Sequence, residues 1–331
     1  MKTLRRMGGM LCLFAAIVLC TQCSSKHADK QRVVVAQWGQ EKYLIYLPLY
    51  VALENKYFQD CGLDVQIKYS GNDDQVFASV LQGSAHCGIG DPVFTAIANE
   101  KGGDVGRVIA SIVDGVAIWG VTNKPEIKVI TSPDELVGLK IATFPAPSTN
   151  YTLMNSTLVR LGDKADATTI VQAPIGGQIA LLESGSADIA MVLEPAASLA
   201  EARGYRVVFS SPGFFGPFAF TGLTVSSTFL HENAEIVQGL VSSIQRALTF
   251  CHDNEAGAVA IAERLFPSLD KSVVRNAVRR MLSEGTIPKS ALVSEQAWSA
   301  ATQVRAAVGD LKNPSCYDSA VDVTFAQKSV Q

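Results

Sequence analysis

One segment of this chain occurs twice. Residues 81–92 read LQGSAHCGIGDP, and residues 182–195 read LESGSADIAMVLEP. Each runs from a leucine through Gly-Ser-Ala into a short stretch of small or apolar residues. Each ends in an acid followed by proline, Asp91-Pro92 in the first copy and Glu194-Pro195 in the second, and the second is one residue longer between its glycine and its proline. Glycine closes one helix, the apolar stretch makes a buried strand, and proline opens the next helix. With one copy in each half of the chain, the pattern predicts two lobes of similar α/β construction. Ligands of open parallel sheets sit at the carboxyl ends of the strands, where each copy carries its acid. Two facing lobes would therefore close on something small.

The rest of the chain supports that division. It has 331 residues, 48% of them hydrophobic and 18% charged, enough for two cores. Residues 1–25 stand apart. Lys2, Arg5 and Arg6 precede the apolar run Met10 to Leu19, followed by Cys20-Thr21-Gln22-Cys23-Ser24-Ser25. A basic start and so short an apolar core describe an export signal, not a membrane-spanning helix. Loss of residues 1–22 removes three positive charges and turns the formal net charge from −3 to −6. An acidic chain without a basic cluster argues against a nucleic-acid partner. Cys61, Cys87, Cys251 and Cys316 allow three pairings, none favoured by spacing, and buried free thiols are an equal reading.

Periodicity predicts strands at 32–36, 63–69, 85–89, 140–143, 167–172, 188–193 and 205–209. Two further apolar runs within 105–121 break at Asp114-Gly115 and carry the chain from one lobe to the other, and 218–225 returns it. Helices are expected at 234–252, 255–265, 270–284 and 294–308, packed on the first lobe. The boundaries are then 1–25 for the signal, 31–115 with 223–310 for lobe one, 116–222 for lobe two, and 311–331 for a C-terminal tail. Two crossing strands make a hinge that permits closure.

Particular motifs also resemble a known family. Pro48-Leu49-Tyr50-Val51-Ala52, Lys56-Tyr57-Phe58 and Gly62-Leu63-Asp64-Val65 match its "P-x-x-x-A-x-x-x-G-[YF]-F … G-L-D-V". Leu81 to Ile89 fits as well, and Glu135-Leu136-Val137-Gly138-Leu139-Lys140-Ile141-Ala142 is close to "D-L-K-G-K-K-I-A". The chain departs from the pattern where Asn55-Lys56 stands for a usual glycine and Leu139 for a usual lysine. The family is that of substrate-binding proteins of ABC importers for sulfonates, nitrate, taurine and thiamine precursors. The resemblance implies the two-lobed type II periplasmic binding fold with a two-strand hinge, no enzymatic activity, no cofactor, a monomer, and an ABC permease with its ATPase as partners. It also reads Cys23 as a lipid attachment site that anchors the protein to a membrane, although Cys20 and Gln22 depart from that motif; the alternative is soluble export.

Several residues fall where such a fold would hold its ligand. Trp38, Gly39 and Tyr43 follow the first strand, and the aromatics suit stacking on a flat ligand. Gly90 and Asp91 end the first repeat strand, where Asp91 is more simply a helix cap. Ser148, Thr149 and Asn150 enter a helix whose free N–H groups suit an anion or a carbonyl. Glu194 is a poor cap, so it either accepts from ligand N–H groups, the favoured reading, or pairs with a basic residue across the cleft. Phe218 is a further aromatic wall. No metal-ligand spacing and no nucleotide loop occurs. The sequence reading is a receptor for a small heteroaromatic ligand of the thiamine-precursor pyrimidine type. A small anion such as a sulfonate or nitrate is the alternative, and an enzyme on the same fold, a pyrimidine synthase or chorismate-type dehydratase, is the alternative of another class.

Overall fold

The computed structural model describes residues 30–330, so the export signal and Cys23 lie outside the described residues. Two five-stranded sheets form the two lobes. In lobe one the strands are β1 (Gln31–Gln37), β2 (Leu63–Tyr69), β3 (Cys87–Gly90), β4 (Gly106–Asp114) and, from late in the chain, β10 (Ala219–Ser226), in the order β2-β1-β3-β10-β4. In lobe two they are β5 (Trp119–Thr122), β6 (Lys140–Thr143), β7 (Thr169–Gln172), β8 (Ile189–Val192) and β9 (Arg206–Ser210), in the order β7-β6-β8-β5-β9. The pairing rules are also the same. Three parallel strands meet one antiparallel strand, β10 in lobe one and β5 in lobe two, and a fifth strand running with the first three pairs with it at the edge. The two repeat copies supply β3 and β8, the third strands of equivalent sheets.

The sheets are apolar because both faces are covered. Val33, Val35, Ile89, Val108 and Ile112 are buried in lobe one, as are Ile141, Ile189 and Val192 in lobe two. β4 lies at an edge but is not bare. Val321 bridges to Val108, and the N–H groups of Ser111 and Asp114 donate to Ala291 and Thr286 carbonyls at 2.7 and 3.1 Å. The segment 286–291 and the C-terminal tail together close the open edge of lobe one, which avoids exposed strand pairing.

The hinge lies where the apolar runs break. The chain crosses between β4 and β5 and returns between β9 and β10. Gly115 N–H donates to the Phe218 carbonyl at 2.8 Å, and Ser211 N–H to the Ile118 carbonyl at 3.1 Å, so the two crossings are tied side by side. Four late helices, Ala234–Asp253, Glu255–Leu265, Lys271–Ser283 and Glu295–Ala307, match the periodic segments. The expectation that they pack on lobe one holds for the first two. The last two also touch lobe two, Lys271–Ser283 against the helix Ala196–Ala202 and Glu295–Ala307 against the helix Thr149–Leu161. They span the lobes.

Candidate ligand site between the lobes

The strand ends of both sheets face one another across an inner cavity of about 50 Å³, which joins a cleft of about 820 Å³, and only the cleft falls within the roughly 300–1,000 Å³ of small-molecule pockets. Lobe one contributes Trp38, Asp73 and Asp91, and lobe two contributes Phe144, Ser148 and Thr149. Ile118, Phe220 and Thr221 from the hinge also line it. A wider cleft outside it shares Trp38, Asp73 and Ser148 and adds Gly39 and Tyr43.

The aromatic wall is held by the core beneath it. Gln37 is fully buried, donates to the Glu41 carbonyl at 3.0 Å and accepts from the Tyr50 hydroxyl at 2.9 Å. That hydroxyl in turn accepts from Tyr43 N–H at 3.1 Å. The loop is therefore pinned, and the Trp38 and Tyr43 rings lie 5.1 Å apart, tilted by 57°. Gly39 has a φ of 91°, and a Cβ there would collide with the Tyr43 ring. Only glycine permits that ring position. Gly90 has a similar reason: a Cβ would stand 2.5 Å from Asp73 Oδ1.

Asp91 caps the helix Val93–Gly102, its Oδ1 accepting from Val93 N–H at 3.0 Å. Its Oδ2 accepts from the Thr149 hydroxyl of lobe two at 2.6 Å and from Arg305 at 2.7 Å. Arg305 is 2% exposed and also donates to the Pro147 carbonyl, the Thr152 hydroxyl and Asp310, at 3.0, 3.1 and 3.1 Å. One buried guanidinium thus joins the two lobes at the back of the site. Ser148 caps the helix Thr149–Leu161 through Tyr151 N–H at 3.3 Å. Asn150 is turned to structure, accepting from Phe144 N–H at 2.9 Å. The backbone N–H groups of Thr149 and Asn150 take no hydrogen bond among the described residues, and both residues line the cavity.

Two expected ligand contacts are corrected. Glu194 does not offer a free carboxylate. It is buried, accepts from Ser198 N–H and Oγ at 3.0 and 2.9 Å, and pairs with Arg280, which also holds Glu201. The longer glutamate chain reaches the fourth residue on, so it does cap after all, and the pair across the cleft is the arrangement found. Burial pushes its carboxyl up, against the pull of Arg280 and Ser198. Phe218 is buried in the hinge, where its N–H meets Asp114 and its carbonyl meets Gly115. Two residues on, Phe220 lines the cavity instead.

Asp73, at the start of the helix Asp73–Leu81, was not foreseen. It is half-buried and lines both the cavity and the outer cleft. Burial, with the Asp91 charge beside it, pushes its carboxyl up to about 7, although Asp91 N–H and Arg305 pull the other way. Among the described residues, no lysine or arginine lines the inner cavity, and no group of His, Cys, Asp and Glu is placed to hold a metal. The four described cysteines are free thiols, three of them buried.

Residues 45–258 match the family described as NMT1/THI5 like. The chain belongs to this family. It is 20% identical over 330 residues to protein YtlA of Bacillus subtilis (strain 168), covering 97% of this chain and 95% of that one. The alkanesulfonate-binding protein SsuA from Xanthomonas axonopodis pv. citri, solved bound to MOPS, superposes with a TM-score of 0.67 at 16% identity, over 90% of this chain and all (100%) of that one. The desulfurization enzyme DSZB superposes with a TM-score of 0.62 at 16% identity, over 91% and 99% of the two chains. A receptor and an enzyme thus share this fold, and the fold alone does not choose between them.

Proposed function

We propose that this chain is an extracytoplasmic solute receptor of an ABC importer, which closes on a small heteroaromatic amine and presents it to a permease and its ATPase. The observation that carries the reading is the charge of the inner cavity. The charged residues lining it are carboxylates, Asp73 and Asp91, set beside the Trp38 ring. The N–H groups of Thr149 and Asn150, which find no acceptor among the described residues, line the cavity from lobe two. A flat ring with an N–H edge and an acceptor atom satisfies all three walls, and an aminopyrimidine is such a ring. Asp91 shares its charge with Arg305, so the preference for donors over anions falls to Asp73 where it is ionised.

The anion reading has one observation in its favour, the same helix N-terminus, which suits an oxyanion. The enzyme reading has the fold. Against it, no histidine or cysteine lines the inner cavity among the described residues. Titration calorimetry with 4-amino-2-methylpyrimidine and with methanesulfonate separates these readings. Heat from the pyrimidine alone is expected, and binding of the sulfonate alone would replace the ligand class. Turnover of either compound would replace the receptor reading. Among the described residues no helix is long and apolar enough to cross a membrane, and the proposed attachment is through lipid on Cys23. Palmitate should label the wild type and not Cys23→Ser. Equal labelling of both, or none, would leave a soluble exported receptor.

A further inference from the structure

Asp73 does two things, and the fold needs only one of them. Its Oδ1 accepts from Asp91 N–H at 2.7 Å. Its Oδ2 takes no hydrogen bond among the described residues. An acid in the first turn of a helix is favoured by the helix dipole, which would be reason enough for an aspartate here. That helix is already well started, however. Asn72 caps it reciprocally with Gln75, and the exposed Asp74 supplies a second acid in the same turn. Asp73 is the acid turned to the cavity wall.

The groups around it leave its charge unanswered. Asp91 faces it and carries the Arg305 ion pair. Arg305 is further engaged by Asp310 and the lobe-two oxygens. Tyr46 is buried beside it and Asp74 lies on its outer side. The geometry points to Asp73 as the residue that selects the ligand, its Oδ2 receiving an N–H edge that bears positive charge. The inference rests on the receptor reading and narrows its ligand class from an N–H-bearing ring to an amidine-like or protonated amine ring. The acceptor atom of that ring faces Thr149 and Asn150, and its flat face lies on Trp38.

The raised carboxyl supports this arrangement and gives it a signature. A cation favours the ionised form of Asp73. Below pH about 7 the empty site holds a proton there, and a bound cation must expel it. Affinity for a cation should therefore fall as pH drops below about 7, by up to about tenfold per pH unit for one proton released. A neutral ligand expels nothing and should show no such fall.

Three rings of one size test the inference: benzamidine, benzamide and benzenesulfonate, titrated by NMR. The wild type should bind benzamidine at least tenfold more tightly than benzamide, and benzenesulfonate least. Asp73→Asn should abolish the preference while keeping benzamide binding, and Asp73→Glu should keep part of it. Asp64→Asn, on the exposed side of β2, removes a charge of lobe one far from the cavity and should leave the preference whole. If Asp73→Asn does not fold, the pH series on the wild type decides. Benzamidine affinity must fall between pH 8 and pH 5.5 while benzamide affinity holds. Equal binding of the two rings by the wild type, or a preference that survives in Asp73→Asn, overturns the inference and leaves the receptor reading standing. Failure of all three rings and of the aminopyrimidine removes that reading and the inference with it.

Discussion

At the end of β3, Asp91 caps its own helix and meets lobe two through one hydroxyl and one shared arginine. At the end of β8, Glu194 caps four residues on and pairs directly with Arg280, on a helix that spans the lobes. The two acids hold matching places in equivalent sheets, and each meets an arginine from the last quarter of the chain. Their surroundings differ. Asp91 keeps two other donors if Arg305 is lost, and it borders the inner cavity. Glu194 has only its own helix to fall back on, and its side chain is 0% exposed. A repeated motif has thus been put to two uses, a wall of the site at one end and a clasp between lobes at the other.

Removing each arginine tests that contrast. Arg280→Met strands a buried carboxylate, a change that costs about 3–5 kcal/mol. The loss should depend on pH. The folded Glu194 carboxyl is raised above its ordinary value, so between the two values the folded state holds more protons than the unfolded one. Stability then falls as pH rises through that window. Without Arg280 the carboxyl rises further, so the loss should be smaller at pH 5 than at pH 8. Chemical denaturation at the two pH values measures it, and a loss that is equal at both would mean that the pair does not act through charge.

Arg305→Met should cost less, about 1.5–3 kcal/mol, the range for hydrogen bonds to a charged group, because Thr149 and Val93 still serve Asp91. Its larger effect should be on closure. Arg305 donates to Pro147, Thr149 and Thr152 at once, so small-angle scattering should show a larger radius for the unliganded variant than for the wild type. An unchanged radius together with a stability loss as large as that of Arg280→Met would erase the distinction between wall and clasp.

The sequence made one side of this contrast visible and hid the other. Strand and helix periods are local, and so is the repeat, which is why both sheets and the four late helices fall close to their expected limits. The residues of the cavity wall that could be read were those set by position at a strand end: Trp38 and Asp91 on one side, Ser148 and Thr149 on the other. Arg280 and Arg305 approach from helices far along the chain, and no local pattern says what they reach. One signal was present. Arg305 shares a helix face with the buried Ala297, Trp298 and Ala301, and Arg280 follows the buried Val273, Ala277 and Val278. An arginine on an apolar face needs an acid partner, and the two acid–proline junctions were the natural places to look for one. Asp73 was concealed differently. Beside Asn72 and Asp74 it reads as ordinary helix-start chemistry, and only the fold turns it to the cavity. Phe218 stands just before β10 and Phe220 at its irregularly paired start, too fine a distinction for a strand assigned by composition.

Glu194→Gln is the smallest change and the sharpest test of the comparison. The amide keeps the shape of the carboxylate and can still accept from Ser198, but it no longer carries the charge that answers Arg280. Folding stability should drop by about 1–2 kcal/mol. That is less than in Arg280→Met, because the group left over is a guanidinium that retains Glu201 and is 15% exposed. Affinity for the aminopyrimidine should stay within about twofold, since neither oxygen of Glu194 is free for a ligand. The reverse pattern, stability kept and affinity lost, would return Glu194 to the ligand and make the two acid–proline junctions equivalent after all. Calorimetry and thermal melting on the same preparation read both quantities. Together with Asp73→Asn they separate the three acids near the cleft, since Glu194 then closes the lobes, Asp91 walls the cavity and Asp73 meets the ligand.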